Sequence, residues 1–176
     1  MSAARHAAQI VLFAGLIALG ARLAVPMVPV PMTLQTFAVL LAGASLGPVR
    51  GVAAVLLYLA LAALGLPILS DDASGLGPFS GPTAGYLFAF PLGAALAGWA
   101  AIAGGLRRPA TGFAVLCGVH LLILLVGAAW LATQIGVGAA VAAGFTPFLI
   151  GAGVKSALVL VIAPPLRGAI FSRPRA

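Results

Sequence analysis

The feature that most constrains this chain is a succession of long apolar stretches, interrupted only by short segments rich in proline, glycine or arginine. About 20 consecutive apolar residues are enough for a helix to cross the hydrocarbon core of a bilayer. Charged residues make up 6% of the 176 positions, whereas a soluble domain carries about a quarter. We therefore predict an all-α integral membrane protein with a single transmembrane domain over residues 1–176. The sequence predicts six spans, at about residues 7–25, 33–48, 50–66, 83–105, 110–133 and 144–165.

The positions of the arginines predict the orientation of these spans, because cytoplasmic loops carry an excess of Arg and Lys. If the amino terminus is cytoplasmic, only Arg22 falls near the outer face. The arginines on the inner side are then Arg5, Arg50, Arg107, Arg108, Arg167, Arg173 and Arg175. We predict that both termini are cytoplasmic and that the first span is retained rather than cleaved as a signal peptide. These arginines flank apolar segments, so the net charge of +7 is a topological signal and predicts no nucleic-acid binding.

Irregular segments converge on the predicted outer face. The first outer loop, residues 25–32, contains three prolines, which hold the chain extended. The second outer loop, residues 67–82, contains both acidic residues of the chain, Asp71 and Asp72, and is rich in glycine. Pro147 marks a third irregular place near the start of the last span. We therefore predict a ligand site that opens outward, with the second loop able to fold over it.

Lys155 is the only lysine of the chain, and it lies within the last apolar stretch. An ionisable residue inside a membrane segment is energetically expensive and is a candidate functional residue for that reason. Gly151 and Ala152, one helical turn earlier, are small and would leave room for a compact ligand. A carboxylate or carbonyl of the ligand would be a partner for the lysine. The alternatives are that Lys155 pairs with Asp71 or Asp72, bonds to backbone carbonyls, or is neutral.

Besides Lys155 and the acidic pair Asp71 and Asp72 of the second outer loop, three other side chains are predicted to contact a ligand. Thr33 and Gln35 open the second span directly after the proline-rich loop. Gln35 carries a donor and an acceptor, which suits an amide or ureido group, whereas Thr33 is alternatively a helix cap. Tyr86 opens the fourth span and either forms a wall of the pocket or anchors the protein at the membrane interface.

His120, in the middle of the fifth span, has no companion residues for a metal site, because the only other histidine is His6. We expect it to form a hydrogen bond to a neighbouring helix. The alternative is an intramembrane enzyme that uses His120 as a base. No serine lies in a nucleophile motif, and we predict no enzymatic activity and no cofactor. In the first span, Ala14 and Ala18 form a small-xxx-small pattern, which indicates close helix packing, either internal or with another subunit.

An ordered set of short motifs resembles the BioY family, the biotin-specific substrate-binding (S) components of energy-coupling factor (ECF) transporters. Residues 28–36 (VPVPMTLQT) are similar to the Pro-x-Pro-x-Thr-x-Gln segment of the family, and residues 81–87 (GPTAGYL) follow in the expected order. Further matches are residues 40–48 (LLAGASLGP), 57–59 (LYL), 64–67 (LGLP), Gly127 with 130–132 (WLA), and 147–149 (PFL) with Lys155. The resemblance covers nearly the whole chain.

The resemblance implies a six-helix S component in the inner membrane of a prokaryotic cell. It would bind biotin with high affinity from the outer side, and a transmembrane coupling subunit and a pair of ATPases would energise uptake. Ala14 and Ala18 would then belong to the docking face for the coupling subunit. The family pattern Pro-Phe-x-Pro-Gly-Asp-x-x-Lys is altered here, since Ile150 and Ala152 replace its second proline and its aspartate. This change leaves open an S component for another small, vitamin-like acid.

Overall fold

The computed structural model describes residues 2–171, so that Arg173 and Arg175 lie outside the described residues. The fold is mostly helical, at 78%. The helices, in chain order, are α1 (Ala3–Arg22), α2 (Gln35–Leu46), α3 (Pro48–Ala63), α4 (Ala84–Ile102), α5 (Pro109–Ile135), α6 (Val137–Gly144) and α7 (Phe148–Phe171). Four of them, α1, α4, α5 and α7, are long and apolar enough to cross a membrane. The other apolar helices of the bundle, α2 and α3, are shorter, with 12 and 16 residues.

The two segments on the predicted outer side are more ordered than loops of their composition suggest. The proline-rich segment is closed by a two-residue antiparallel pairing of β1 (Ala24–Val25) with β2 (Met32–Thr33). The segment between α3 and α4 contains two 3-10 turns, Ser70–Asp72 and Gly77–Phe79. Both segments therefore have defined positions at the same end of the bundle.

Two features of the helices go beyond the sequence prediction. α5 ends at Ile135, and the positive φ of 83° at the next residue, Gly136, turns the chain into the short helix α6. α7 begins at Phe148 and continues through Pro164 and Pro165 to Phe171, although prolines in a helix remove hydrogen bonds. Contacts with other helices hold this last part, since Arg5 donates a hydrogen bond to the Ile170 carbonyl at 2.9 Å.

The centre of the bundle is built on glycines that bring helix backbones together. In α2, ten of the twelve residues are buried. A Cβ at Gly43 would overlap the backbone of Ala94 on α4, and one at Gly98 would overlap the backbone of Pro48 on α3. Small residues at such crossings allow the close approach on which packing in membrane proteins depends. α2 therefore lies at the centre, between α4 and the other helices that contact it.

The small-residue pattern of α1 faces the interior of the protein. Ala14 is only 4% exposed and belongs to the hydrophobic core, and Ala18 is half-buried against it. The reason is that α1 packs on both α2 and α3. Of the two alternatives for this pattern, internal packing is present at Ala14, and docking of another subunit at this pattern stays a prediction.

The arginines divide between the two ends of the bundle. The guanidinium groups of Arg50 and Arg167 lie 4.7 Å and 5.0 Å from the centre of the Phe171 ring. Arg107 and Arg167 line a second, shallow cavity at this same end. Arg22, at the other end of α1, contacts the segment between α3 and α4. The proline-rich hairpin and the two 3-10 turns are thus at the end away from the basic cluster.

Candidate functional site

A cavity lies between the helices, beneath the hairpin and the segment that joins α3 to α4. Its volume is about 680 Å³ when the open space at its mouth is included. Among the described residues that line it none is acidic. The lining residues are Val30, Pro31, Thr33, Gln35, Thr36, Leu69, Ser70, Ala73, Pro78, Thr83, Tyr86, Leu87, Phe90, His120, Leu124, Phe148, Ala152 and Lys155.

Lys155 lines this cavity from α7 and is 7% exposed. Its Nζ donates to the Thr33 carbonyl at 2.6 Å and to Thr36 Oγ1 at 3.2 Å. An ammonium group has three donors, so one remains for a ligand. Of the alternatives for its partners, the structure shows a backbone carbonyl and a hydroxyl. The structure has the predicted space beside Lys155 at Ala152, which lines the cavity. At Gly151 the side chain of Met32 lies against the helix instead.

A chain of hydrogen bonds orients Gln35 at the start of α2. Thr33 Oγ1 donates to Gln35 Oε1 at 2.9 Å and accepts from the Gln35 backbone N–H at 3.2 Å. Gln35 Nε2 donates to the Tyr58 hydroxyl, which in turn donates to the Ile68 carbonyl at 3.2 Å. These bonds leave Gln35 one amide hydrogen and one lone pair on Oε1. Gln35 can therefore both donate to and accept from a ligand. Thr33 lies one residue before Leu34, the N-cap of α2, and it lines the cavity as well as accepting from the Gln35 backbone N–H.

The opposite wall of the cavity is aromatic and apolar. The hydroxyl of Tyr86 donates its only hydrogen to the Gly144 carbonyl at 2.6 Å. Its ring packs on Gly127, where a Cβ would overlap the ring. The rings of Tyr86 and Phe148 are 6.4 Å apart and nearly parallel, at 27°. Tyr86 therefore contributes a rigid apolar surface to the cavity rather than a free hydroxyl.

The acidic pair lies beside the cavity rather than in it. Leu69, Ser70 and Ala73 line the cavity, but Asp71 and Asp72 do not, and both are exposed. Asp72 forms a salt bridge with Arg22, whose guanidinium also donates to the Pro67 carbonyl at 2.7 Å. The structure therefore gives Asp72 a tethering contact, which holds this segment to the end of α1, and brings neither carboxylate to the ligand space.

His120 lines the cavity from α5 and contacts α7, as the sequence predicts for a hydrogen bond to a neighbouring helix. Its Nδ1 lies 2.9 Å from Ser156 Oγ and 3.2 Å from the Leu116 carbonyl. Ser156 is fully buried and does not line the cavity. Because the nucleophile position is closed to a substrate, this Ser–His pair has the geometry of a structural contact between helices.

Comparison with known proteins identifies the family. The family model described as "BioY family" matches residues 1–171. The chain belongs to the BioY family. Members of this family are transport components and not enzymes, which agrees with the structural role of the His120 and Ser156 pair.

Two relatives cover most of this BioY chain. The "Probable biotin transporter BioY" of Pyrococcus horikoshii is 38% identical over 165 residues, which are 94% of this chain and 98% of the relative. The "Biotin transporter BioY2" of Lactococcus lactis is 37% identical over 158 residues, covering 86% of this chain and 84% of the relative. A crystal structure at 2.1 Å of the S-component for biotin from an ECF-type ABC transporter superposes with a TM-score of 0.82 and 28% identity. That match covers 95% of this chain and 94% of the other.

Of the residues predicted to bind ligand in this BioY chain, four line one cavity: Thr33, Gln35, Tyr86 and Lys155. Tyr58, which orients Gln35, was not predicted to belong to the site, because a tyrosine between apolar residues is typical of a packing position. The buried Nε2 of His120, which has no hydrogen-bond partner among the described residues, was not predicted either. The only sequence signal for Tyr58 and His120 is that each is a polar residue within an apolar span. This signal does not identify the hydrogen-bond partner.

Proposed function

We propose that this chain is a membrane-embedded S component that binds biotin with high affinity from the outer side and mediates its uptake. The observation that carries the proposal is the pairing, in one cavity, of a buried cation with an amide that has both a donor and an acceptor free. The names of the relatives and of the similar crystal structure support biotin as the ligand.

The chemistry of biotin fits the groups that the cavity offers. Biotin has an apolar fused ring, a ureido group with two N–H donors and one carbonyl, and a carboxylate at the end of an aliphatic chain. The third hydrogen of the Lys155 ammonium suits the carboxylate or the carbonyl, and Gln35 suits the ureido group. Tyr86, Phe90 and Phe148 suit the apolar rings. Each polar group of the ligand therefore has a complementary class of partner.

For the topology we propose six membrane passes, in a single domain with both termini cytoplasmic, in the inner membrane of a prokaryotic cell. The division of the arginines supports this orientation, with Arg5, Arg50, Arg107 and Arg167 at one end and Arg22 at the other. At 1.5 Å per residue α2 is about 18 Å long. It can cross only part of the bilayer, and its burial inside the bundle compensates for this short length.

Energy for uptake is proposed to come from other subunits, a transmembrane coupling subunit and a pair of ATPases. The 176-residue sequence contains no Gly-x-x-x-x-Gly-Lys-Ser/Thr phosphate loop. The second candidate function is an S component for another small, vitamin-like acid. Ala152 supports it, because this residue lines the cavity where the family pattern has an aspartate.

The test is saturable binding of radiolabelled biotin to detergent-purified protein. We expect saturation at micromolar biotin or below and competition by desthiobiotin, which retains the ureido group and the carboxylate. Lipoate, which has a carboxylate and a sulfur ring but no ureido group, should not compete at the same concentration. Absence of saturable binding at micromolar biotin would reject the proposal. Equal competition by lipoate would favour the second candidate function.

Loss of the tether between Asp72 and Arg22 should accelerate biotin release. Asp72→Asn removes the salt bridge but tolerates the positive φ of 57° at this position. Because an exposed pair is worth about 1 kcal/mol at most, we expect an increase in the dissociation rate of up to about 5-fold. Asp71→Asn is the matched control, since Asp71 has the same φ and forms no salt bridge within residues 2–171. Equal dissociation rates for the two variants in a chase experiment would contradict a role for the tether.

A further inference from the structure

His120 has a buried polar atom for which the described residues offer no partner. Among the side chains of residues 2–171, only Ser45 Oγ and His120 Nε2 are buried polar atoms without a hydrogen bond. Ser45 is not among the residues that line the cavity, whereas His120 is, although its side chain is only 2% exposed. Buried polar groups are almost always paired, and an exception calls for an explanation. A ligand in the cavity would supply the missing partner.

The contacts of the other ring nitrogen determine what kind of partner His120 Nε2 needs. Nδ1 is within hydrogen-bond distance of the Leu116 carbonyl and of Ser156 Oγ. A carbonyl oxygen only accepts, so the two contacts are both favourable when Nδ1 carries the hydrogen. In that tautomer of the neutral ring, Nε2 carries a lone pair. The geometry therefore calls for a donor on the ligand.

The acceptors that line the cavity among the described residues are all neutral. No acidic side chain lines it there, and Ala152, one turn before Lys155, contributes only a methyl group. Lys155 can only donate, whereas the Tyr86 hydroxyl, which donates to the Gly144 carbonyl, and the other lining hydroxyls keep lone pairs that can accept. A ligand with N–H groups also finds acceptors at Gln35 Oε1 and at His120 Nε2. The first is partly used by Thr33, and the second is free.

We propose that His120 is a ligand-binding residue whose Nε2 accepts a hydrogen bond from one ureido N–H of biotin. This inference rests on the proposed function and adds a contact that determines specificity. It assigns to His120 the acceptor role that a carboxylate at position 152 would otherwise have. Ser156 then acts as a positioning residue, because its contact with Nδ1 helps to hold the ring in the orientation that presents Nε2.

Two substitutions of His120 separate the roles of its nitrogens. The amide of Asn can occupy the place of Nδ1 but does not reach that of Nε2, whereas the amide of Gln reaches the place of Nε2. In the full-length, detergent-purified protein we expect His120→Asn to weaken biotin binding about 10-fold or more. His120→Gln should stay within about 3-fold of the parent protein. Retention of a sharp thermal transition verifies that each variant is folded.

A second experiment varies the ligand instead of the protein, so its result does not depend on the folding of a variant. Biotin methylated at one or the other ureido nitrogen loses a single donor, and desthiobiotin, with both donors, is the control. Each isomer should bind the parent protein at least about 10-fold more weakly than biotin, because one loses the contact with His120 Nε2 and the other the contact with Gln35 Oε1. The isomer that lacks the donor for His120 should lose little further affinity in His120→Asn, whereas the other isomer should lose about 10-fold more.

The outcomes distinguish this inference from the proposed function. If the parent protein does not bind biotin, the proposed function is wrong, and the contact falls with it. If the parent protein binds biotin and His120→Asn binds it equally well, only the role of His120 is wrong. Should His120→Asn fail to fold, binding of both methylated isomers to the parent protein as tightly as biotin would overturn the role by itself.

Discussion

Replacement of Lys155 by methionine is expected to weaken biotin binding by about 30- to 1000-fold, while the protein remains folded. Loss of one partner from a buried, charged hydrogen bond costs about 2–4 kcal/mol, which corresponds to this range. Methionine retains most of the volume of lysine and removes the cost of burying a charge. Against this, the Thr33 carbonyl and Thr36 Oγ1 lose their donor. Because the two effects on folding oppose each other, we expect the change in affinity to exceed the change in stability.

The matched control for this experiment is Val154→Met on the same helix. Val154 is adjacent in sequence but 57% exposed, and it is not among the lining residues. Equilibrium binding of radiolabelled biotin, together with thermal unfolding of the ligand-free protein, gives both quantities. If Lys155→Met and Val154→Met bind biotin with the same affinity, Lys155 has no direct role in binding.

Substitution of Gly43 by alanine is expected to have the largest effect on stability. The new Cβ would overlap the carbonyl oxygen and carbonyl carbon of Ala94 on α4. Backbone atoms in a helix cannot move aside as the end of a side chain can, so α2 and α4 must separate. Overpacking of this kind costs about 3 kcal/mol. We expect a much lower thermal transition in detergent, measured by size-exclusion chromatography after heating, and a loss of binding that follows the loss of folded protein.

Gly118→Ala provides the matched control, because Gly118 is also helical and a Cβ there meets nothing within 4 Å. Alanine at an open helical position is favoured over glycine by up to about 1 kcal/mol. This variant should therefore be as stable as the parent protein or slightly more stable. Similar transition temperatures for Gly43→Ala and Gly118→Ala would show that the α2–α4 crossing can widen at little cost.

Local chemistry explains which parts of the site were predictable. Lys155 stands out because a charge in an apolar stretch is costly wherever the helix packs, and Gln35 and Thr33 stand out for their position after the proline-rich segment. The predictions that depended on distant contacts were less specific. Ala14 could face inward or outward, and only its packing within the core decided this. Likewise, Asp71 and Asp72 lie in the same segment as the lining residues Ser70 and Ala73. Both aspartates have positive φ values and exposed side chains, and neither lines the cavity.

The sequence alone indicates a helical membrane protein with its basic residues concentrated on one side, and it identifies Lys155 as the most expensive charge. These properties follow from the free energy of transferring single residues into a bilayer, which is additive along the chain. The surroundings of the lysine depend on the tertiary structure. Hydrogen bonds and close packing join residues that are far apart in sequence, such as Thr33 with Lys155, Gln35 with Tyr58 and His120 with Ser156. Such partners are selected by how the helices pack, and the period of an apolar stretch does not specify them.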